Sequence, residues 1–450
     1  MRIYSFLFCL LVISINPWGA DKGAIWLLPK VAVLFSIILC NIYFLKRFKV
    51  SGTWTAIAFL WAIFLGETAI TTLKSPFPLR SFWGAPVLGD GWLYWALCGL
   101  FFLTNILLLQ QQPELKRSQI KGVVIGCCIL VLAMVPQVFN WAIDYTANSG
   151  QTISAKILQL HESGSTYQRE VQTTISGLYQ NQQPVGLYSH KGIAVVPLLL
   201  GVFLGSPATA ALLSLGIAIA KVRGAFVAIA VAGAYLFISK NPRSKLSGLL
   251  AFAPVVLCAY LIFLLGSGSI GEQQIRNFTS DRVELWKIAA VQIRERPLLG
   301  WGFDGFGVAY PHGRQKLYYP DLKVVSQSDY GFEFSNGKVE PLLTTKAHNL
   351  VLDKFLDLGI IGAIASFSLL GFTLWAIRGT GFEVMPIAYL VYALTWYESA
   401  QTIHLFWWVC SVGISLKSAD PGEFRQHQLR VREELLSQSN GSGVGRHQEE

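Results

Sequence analysis

Residues 345–377 read TKAHNLVLDKFLDLGIIGAIASFSLLGFTLWAI, a polar segment with one histidine that leads directly into a long apolar run. The run from Leu350 to Ile377 is long enough for a helix to cross the roughly 30 Å of hydrocarbon in a bilayer. A span in lipid must be helical, because lipid offers the backbone no hydrogen-bond partners. The stretch therefore predicts a membrane-crossing helix with a titratable imidazole, His348, beside one of its ends.

The whole chain has the composition of a membrane protein. Of its 450 residues, 53% are hydrophobic and only 14% are charged, which excludes an ordinary soluble domain. We predict an all-α polytopic membrane protein with about twelve transmembrane helices. The predicted spans are 3–15, 25–45, 53–73, 92–109, 122–138, 193–204, 208–220, 224–239, 246–265, 350–377, 384–397 and 402–416.

The first apolar stretch has an alternative interpretation. Arg2, a short hydrophobic run and Gly19-Ala20 also fit a cleaved signal peptide. Apolar character resumes at Ile25, which favours a retained first span, and the orientation of the later spans is the same in both cases.

The basic residues of the connections predict the orientation. Clusters such as Lys46-Arg47-Phe48-Lys49 and Lys116-Arg117 fall in even-numbered connections, which the positive-inside rule makes cytoplasmic. Both termini are then cytoplasmic. The predicted regions are N-terminal transmembrane helices (1–139), an outer loop (140–192), central transmembrane helices (193–265), a large outer helical loop (266–349), C-terminal transmembrane helices (350–416) and a cytoplasmic tail (417–450).

The net charge of +10 does not indicate nucleic-acid binding, because cytoplasmic loops that face anionic headgroups account for much of it. A smaller set of cations lies on the predicted outer face and forms the candidates for anion binding. These are Arg80, Lys191, Lys221, Arg223, Arg282 and Lys346. All seven cysteines lie in apolar stretches, so the loops offer neither a disulfide framework nor a thiolate metal site.

A helix is predicted in the late outer loop. Asp281 and Glu284 have the spacing of an N-cap and its reciprocal carboxylate, and Pro297 ends the pattern. Arg282 then lies in the first turn, where free backbone N–H groups attract anions and a guanidinium can bind phosphate oxygens in bidentate fashion. The alternative is a simple ion pair of Arg282 with Asp281 or Glu284.

Residues 300–305, Gly300-Trp301-Gly302-Phe303-Asp304-Gly305, satisfy the G-x-G-x-x-G pattern. A dinucleotide site would need this pattern between a strand and a helix, whereas here it follows a predicted helix on the outer face. We predict instead a glycine-rich turn that re-enters the membrane surface.

Several motifs together resemble the O-antigen ligase and O-antigen polymerase superfamily. They are Asp281-Arg282-Val283-Glu284-Leu285-Trp286, Arg296-Pro297-Leu298-Leu299-Gly300-Trp301-Gly302, Ala347-His348-Asn349 and Leu358-Gly359-Ile360-Ile361-Gly362. The resemblance covers roughly residues 188–377. It implies a GT-C-like polytopic glycosyltransferase of the bacterial inner membrane, with a large periplasmic loop late in the chain.

The resemblance also implies an activity and its residues. Members transfer a glycan from a polyprenyl (undecaprenyl) diphosphate carrier to a hydroxyl acceptor, without a metal or other cofactor. His348 matches the histidine proposed to activate the acceptor, and Arg282 and Arg223 match arginines that hold the diphosphate. We further expect Arg80, His190, Lys191 and Asn349 to bind substrate.

Alternatives remain for these residues and for the function. His348 also fits an interfacial histidine that caps the next helix, and Arg223 fits a flanking residue that reaches for the interface. The favoured function is ligation onto a lipid A-core acceptor in a membrane-lipid environment, with inversion at the anomeric carbon. The first alternative is a repeat-unit polymerase, and the second, of another class, is a transporter of an anion or a lipid-linked glycan.

Overall fold

The structure is a computed structural model that describes residues 1–16, 18–19, 23–46, 50–85, 88–138, 184–238, 282–327, 331–342 and 344–417, together with the strand residues 152–155 and 171–174. The predicted span 246–265, the predicted cap Asp281, most of the outer loop 140–192 and nearly all of the tail lie outside the described residues.

Most helices of the described part coincide with the predicted spans, although the helix Leu115–Val138 begins seven residues before the predicted span 122–138. They are α1 (Arg2–Ile13), α2 (Leu28–Phe44, after a π-helical turn Gly23–Leu27), α3 (Gly52–Lys74), α4 (Pro78–Trp83), α5 (Trp92–Gln111), α6 (Leu115–Val138), α7 (Lys191–Gly201), α8 (Pro207–Ala220), α9 (Arg223–Ile238), α10 (Arg282–Glu295), α11 (Gly305–Tyr318), α12 (Leu350–Ile377), α13 (Val384–Ala393) and α14 (Ile403–Lys417).

Five of these segments are long and apolar enough to cross a membrane, namely Gly23–Phe44, Gly52–Lys74, Trp92–Gln111, Leu115–Val138 and Leu350–Ile377. Six further helices are apolar but shorter. The chain is therefore a mostly helical, multi-pass membrane protein. The total of twelve spans stays a prediction.

The helix bundle has an aromatic core. The rings of Trp61 and Trp407 lie with their centroids 4.7 Å apart, and Phe102 packs against both. Edge-to-face contacts of this kind stabilise a core beyond the burial of their area. The core ties α3 and α5 to the C-terminal helix α14.

Helix α12 is broken at Gly359, which has a φ of 63° and a ψ of −170°. The backbone of the glycine-rich turn after α10 fills the break. Ile360 N donates to Pro297 O at 2.8 Å, and Gly302 N donates to Asp357 O at 2.8 Å. Non-helical backbone at membrane depth needs such partners. The two glycine motifs of the sequence, 296–302 and 358–362, therefore meet as one structural unit, in agreement with a turn that docks on the bundle.

The described part of residues 266–349, which are predicted to form an outer loop, corrects the prediction of an all-α chain. Besides α10 and α11 it contains a three-stranded antiparallel sheet in the order β3–β4–β5, and two earlier strands, β1 and β2, also pair antiparallel. The strands are β1 (Thr152–Ala155), β2 (Val171–Thr174), β3 (Val324–Gln327), β4 (Gly331–Phe334) and β5 (Val339–Pro341).

The physical reason for the late sheet is local. Asn336-Gly337 forms the turn between β4 and β5, with Gly337 at a φ of 78° that favours glycine. Phe332 and Phe334 alternate into a small core with Ile288 of α10. The helical prediction for this loop missed that hairpin signal.

Candidate active site

A cavity of about 380 Å³ opens between the outer loop and the ends of the apolar helices. It is lined by residues from three connections that were predicted to lie outside, and by the end of α13. The lining residues are His190, Lys191, Lys221, Val222, Arg223, Gly224, Arg282, Leu285, His348, Tyr392, Thr395 and Trp396. We call this the cationic cavity.

Four basic side chains line the cationic cavity: Lys191, Lys221, Arg223 and Arg282. No carboxylate occurs among its described lining residues. Cations gathered in one cavity repel one another, so the arrangement favours an anionic ligand. The sequence-predicted residues His348, Arg282, Arg223, His190 and Lys191 are thus brought together in one place.

Arg282 begins α10, and its guanidinium lies over the Trp396 ring, 5.8 Å from the centroid. The alternative pairing with Glu284 is not what the structure shows, because Glu284 binds Arg314 at 2.8 Å. Burial lowers the pKa of Arg282, and the charge of Arg223 lowers it further. A guanidinium nevertheless stays protonated in proteins, so Arg282 presents a fixed positive charge.

Lys221 and Arg223 are held by the tight turn between α8 and α9. Lys221 ends α8 in the left-handed conformation, with a φ of 52° and a ψ of 39°. A side chain other than glycine or asparagine is uncommon at this position, and it costs conformational energy. The turn places both side chains, which are exposed, at the cavity.

His348 lies between two aromatic rings, with its centroid 5.1 Å from Trp396 and 4.8 Å from Tyr397. Its Nδ1 is 3.1 Å from the carbonyl oxygen of Lys346. Because a carbonyl only accepts, we assign the proton to Nδ1, which leaves the lone pair on Nε2. Burial, and to a smaller extent the charge of Arg282, lower the pKa of His348 to about 4. The imidazole is therefore neutral at pH 7.

His190 and its neighbours also line the cationic cavity. The ring of His190 stacks on Trp396 with the centroids 5.1 Å apart, and its Nδ1 accepts from Gly192 N at 3.0 Å, which caps α7. Tyr392 donates to the carbonyl of Gly192 at 2.7 Å. These contacts place Lys191 at the cavity rim.

Arg80 and Asn349 do not line the cationic cavity. Arg80 pairs with Asp304 through Nε at 2.8 Å and Nη2 at 2.7 Å. Asn349 caps α12, because its Oδ1 accepts from Val351 N and Leu352 N, and its Nδ2 donates to Leu394 O at 3.0 Å. The cap of α12 is therefore Asn349 and not His348. The structure gives both Arg80 and Asn349 contacts within the protein.

A second charged group lies beside the cavity, and we call it the Lys346 cluster. The ammonium of Lys346, only 3% exposed, is 2.7 Å from Asp90, 3.2 Å from Asp357 and 4.0 Å from Asp304. Although burial favours the neutral amine, these carboxylates raise the pKa of Lys346 above its usual range. Burial raises the pKa of Asp304 to about 7, against the opposing effect of Arg80.

The sequence analysis missed several of these residues. Asp90 and Asp357 carry no motif of their own, and Asp304 lies in the glycine-rich pattern 300–305 without being assigned a role. Each lies on a different segment, so only the fold brings them to Lys346. Trp396 was missed as well, although Trp396-Tyr397 at the end of the predicted span 384–397, followed by Glu398, is a signal for an interfacial aromatic site. Groups of three or more potential metal ligands are not found among the described residues.

Comparison with known proteins gives a family match for part of the chain. Residues 208–367 match the family model of the O-antigen ligase. This stretch is similar to an O-antigen ligase domain. It contains Lys221, Arg223, Arg282 and His348, whereas Arg80, His190 and Lys191 lie before it. The resemblance to the O-antigen ligase superfamily is thereby confirmed, and with it a membrane glycan-processing function of the ligase or polymerase type. No curated protein matches the chain.

Proposed function

We propose that this protein is a glycosyltransferase that moves a glycan from a polyprenyl (undecaprenyl) diphosphate carrier to a hydroxyl acceptor, as an O-antigen ligase acting on a lipid A-core sugar. The single observation that carries the proposal is the cationic cavity. It joins two arginines of the O-antigen ligase domain, Arg223 and Arg282, with the neutral imidazole of His348.

The chemistry follows from the charges. A diphosphate is already a competent leaving group, so the enzyme mainly has to neutralise the negative charge that develops on it when the glycosyl bond breaks. Arg223 and Arg282 supply fixed charge for this purpose, and Lys191 and Lys221 add two ammonium groups at the rim. The proposed transfer needs no metal or other cofactor.

His348 acts as the general base in this proposal. The acceptor hydroxyl donates its proton to Nε2 as its oxygen attacks the anomeric carbon from the side opposite the diphosphate, so the configuration inverts. With a pKa of about 4, His348 is a weak base before a diphosphate binds. A bound diphosphate places negative charge beside the imidazole, which favours the protonated form and raises its basicity when substrate is present.

The arrangement of the connections supports a site on the periplasmic face of the bacterial inner membrane. The connections 140–192, 221–223 and 266–349 contribute to the cationic cavity, and Arg80 and Asp90 of the connection 74–91 contact Asp304 and Lys346. Described residues of four connections predicted to face outward therefore lie close together. Cytoplasmic termini are part of this proposal.

Repeat-unit polymerisation is the second candidate, because the matched domain is common to the ligase and polymerase types. A strain that lacks the protein distinguishes them. A ligase predicts accumulation of long glycans on the lipid carrier, and a polymerase predicts accumulation of single repeat units.

The test is transfer by purified protein from a synthetic polyprenyl diphosphate glycan, with the parent, His348→Ala and Arg282→Ala compared. Arg294→Ala is the matched control, because Arg294 is an exposed arginine on the same helix that does not line the cavity. We expect turnover in the parent and the control and a severe loss in the other two variants. Equal turnover in all four proteins contradicts the site, and uptake of the donor without cleavage indicates a transporter.

A further inference from the structure

The segment from Thr344 to Asn349 serves two neighbouring places at once. His348 lines the cationic cavity, whereas the side chain of Lys346 is buried in the Lys346 cluster. His348 has a φ of 59°, a left-handed conformation that is uncommon for residues other than glycine. Such a backbone persists only where its surroundings hold it.

The side chain of Lys346 is fixed by three separate elements. Asp90 lies in the connection before α5, Asp357 lies on α12 directly before the break, and Asp304 precedes α11. Asp304 is in turn held by Arg80, and Asp357 accepts from Gly305 N at 2.8 Å through its other oxygen. The ammonium is therefore the point where the bundle and the outer loop are joined.

The backbone of Lys346 is in direct contact with the imidazole. Its carbonyl accepts from Nδ1 of His348 at 3.1 Å and from the hydroxyl of Thr344 at 3.0 Å. The backbone of the next residue, Ala347, is fixed at both its N–H and its carbonyl. Ala347 N donates to Asp353 at 2.8 Å, and Trp286 donates to the carbonyl of Ala347 at 3.1 Å. The position of the Lys346 carbonyl thus sets the tautomer and the orientation of the ring.

We propose that Lys346, clamped by Asp90 and Asp357, is the positioning residue of His348: it holds the strained segment so that Nε2 is directed at the acceptor. This inference rests on the proposed function. Lys346 does not line the cationic cavity and is not required to touch the substrate.

A purely stabilising role explains the cluster less well. Buried ion pairs are poor stabilisers, because the cost of removing the charges from water offsets their attraction, and apolar replacements are often equally stable. Here three carboxylates, Asp90, Asp304 and Asp357, surround two cations, Lys346 and Arg80. What the cluster provides beyond stability is one fixed geometry.

The experiment measures transfer kinetics and donor binding for the parent, Asp90→Asn and Lys346→Met. Asp90→Asn is the better variant for folding, because it removes one of three carboxylates and leaves two against two cations. Lys338→Met is the matched control, since Lys338 also pairs with a carboxylate of the outer loop, Glu340, at the surface. We expect kcat to fall about 10- to 100-fold in Asp90→Asn, as for the displacement of a catalytic group by about 1 Å.

Two further readouts separate positioning from stability. The Kd for a polyprenyl diphosphate should stay within about 2-fold of the parent value. Loosening the segment exposes His348 to water, so the acid limb of kcat/KM should move from near pH 4 towards pH 6.5. Tyr397 contacts the imidazole, and the charge of Arg282 acts on it. The other charged or titratable residues that line the same cavity are His190, Lys191, Lys221, Arg223 and Tyr392. None of these residues is changed in Asp90→Asn.

Unchanged kcat and an unchanged acid limb in a folded Asp90→Asn protein overturn the inference, as does a loss of donor affinity equal to the loss in kcat. Failure of the proposed function gives a different result. In that case the parent itself transfers no glycan, whatever the variants do.

Discussion

The cationic cavity and the Lys346 cluster lie side by side and share one segment of chain, but they treat charge in opposite ways. In the cavity, four cations converge and the described lining contains no acid. In the cluster, each cation is within ion-pair distance of a carboxylate and is largely removed from water. Cations paired with acids hold a structure together, whereas cations gathered in one cavity can act together on an anionic ligand.

The contrast is sharpest for two arginines. Arg282→Ala should lower kcat/KM about 10²- to 10³-fold, the usual result of removing a group that stabilises charge in the transition state. Its thermal midpoint should stay near that of the parent, because Arg282 has no partner acid among the described residues. Transfer kinetics and a thermal unfolding scan in detergent measure the two effects.

Arg80→Ala should show the opposite pattern. It leaves the buried Asp304 without its arginine, which destabilises a protein by about 3–5 kcal/mol. We expect a lower midpoint and a lower yield, with a donor affinity close to that of the parent in the protein that remains folded. An Arg80→Ala protein of parental stability, or an unfolded Arg282→Ala protein, contradicts the comparison.

The pH dependence should report the neutral imidazole of the cavity. Because the folded pKa of His348 is depressed to about 4, the active neutral form is present above that pH and is lost as the pH falls through it. The acid limb of kcat/KM should therefore lie near pH 4 and not near 6.5. The limb of kcat should lie about one unit or more higher, because the bound diphosphate favours the imidazolium. The account is contradicted if the acid limbs of kcat/KM and kcat coincide near pH 6.5 and both disappear in His348→Ala. That result would show that the imidazole is not buried.

Trp286→Phe tests the link between α10 and the histidine segment. The substitution keeps an aromatic side chain at this position but removes the indole N–H that donates to the carbonyl of Ala347. The loss of one hydrogen bond of about 1 kcal/mol predicts a reduction in kcat of roughly 5-fold. Trp375→Phe, an exposed tryptophan on α12, is the control, and equal kinetics for both variants argue against the link.

Lys221→Gly should raise stability and weaken binding at the same time. Glycine adopts the left-handed conformation at this helix end without strain, so the variant should be more stable by about 1 kcal/mol. Loss of the ammonium should raise the KM for the donor about 3-fold, or about 0.6 kcal/mol. If Lys221→Gly lowers the stability and also raises the KM for the donor, Lys221 has a structural role only.

Chelation is the smallest expected effect. EDTA should leave transfer unchanged, since the proposed mechanism uses guanidinium, ammonium and imidazole groups alone. Activity that falls with EDTA and returns with a divalent cation would require a different account of how the diphosphate charge is neutralised.

Much of this was accessible from the sequence because periodicity and apolar length are local properties. The predicted span 350–377 and ten further predicted spans coincide with described helices. The motif residues Arg223, Arg282 and His348 lie together at the cationic cavity. What sequence reasoning could not supply was long-range pairing. Nothing local distinguishes Arg80, which the fold pairs with Asp304, from Arg282, which the fold leaves beside Trp396.

The late outer loop shows a second limit. Its hairpin is encoded by Asn336-Gly337 and by the alternating Phe332 and Phe334. The sequence analysis predicted a helical loop instead. The break at Gly359 was likewise invisible as an isolated glycine. It becomes meaningful only beside the backbone of residues 297–302 that occupies it.

The most direct test of the account is the binding of a polyprenyl diphosphate to the detergent-solubilised protein, measured for the parent and for the double variant Arg223→Ala/Arg282→Ala. The account predicts saturable binding by the parent and a rise in Kd of at least about 100-fold, or about 2.7 kcal/mol, in the double variant. Equal affinity in the two folded proteins would mean that the cationic cavity is not the diphosphate site.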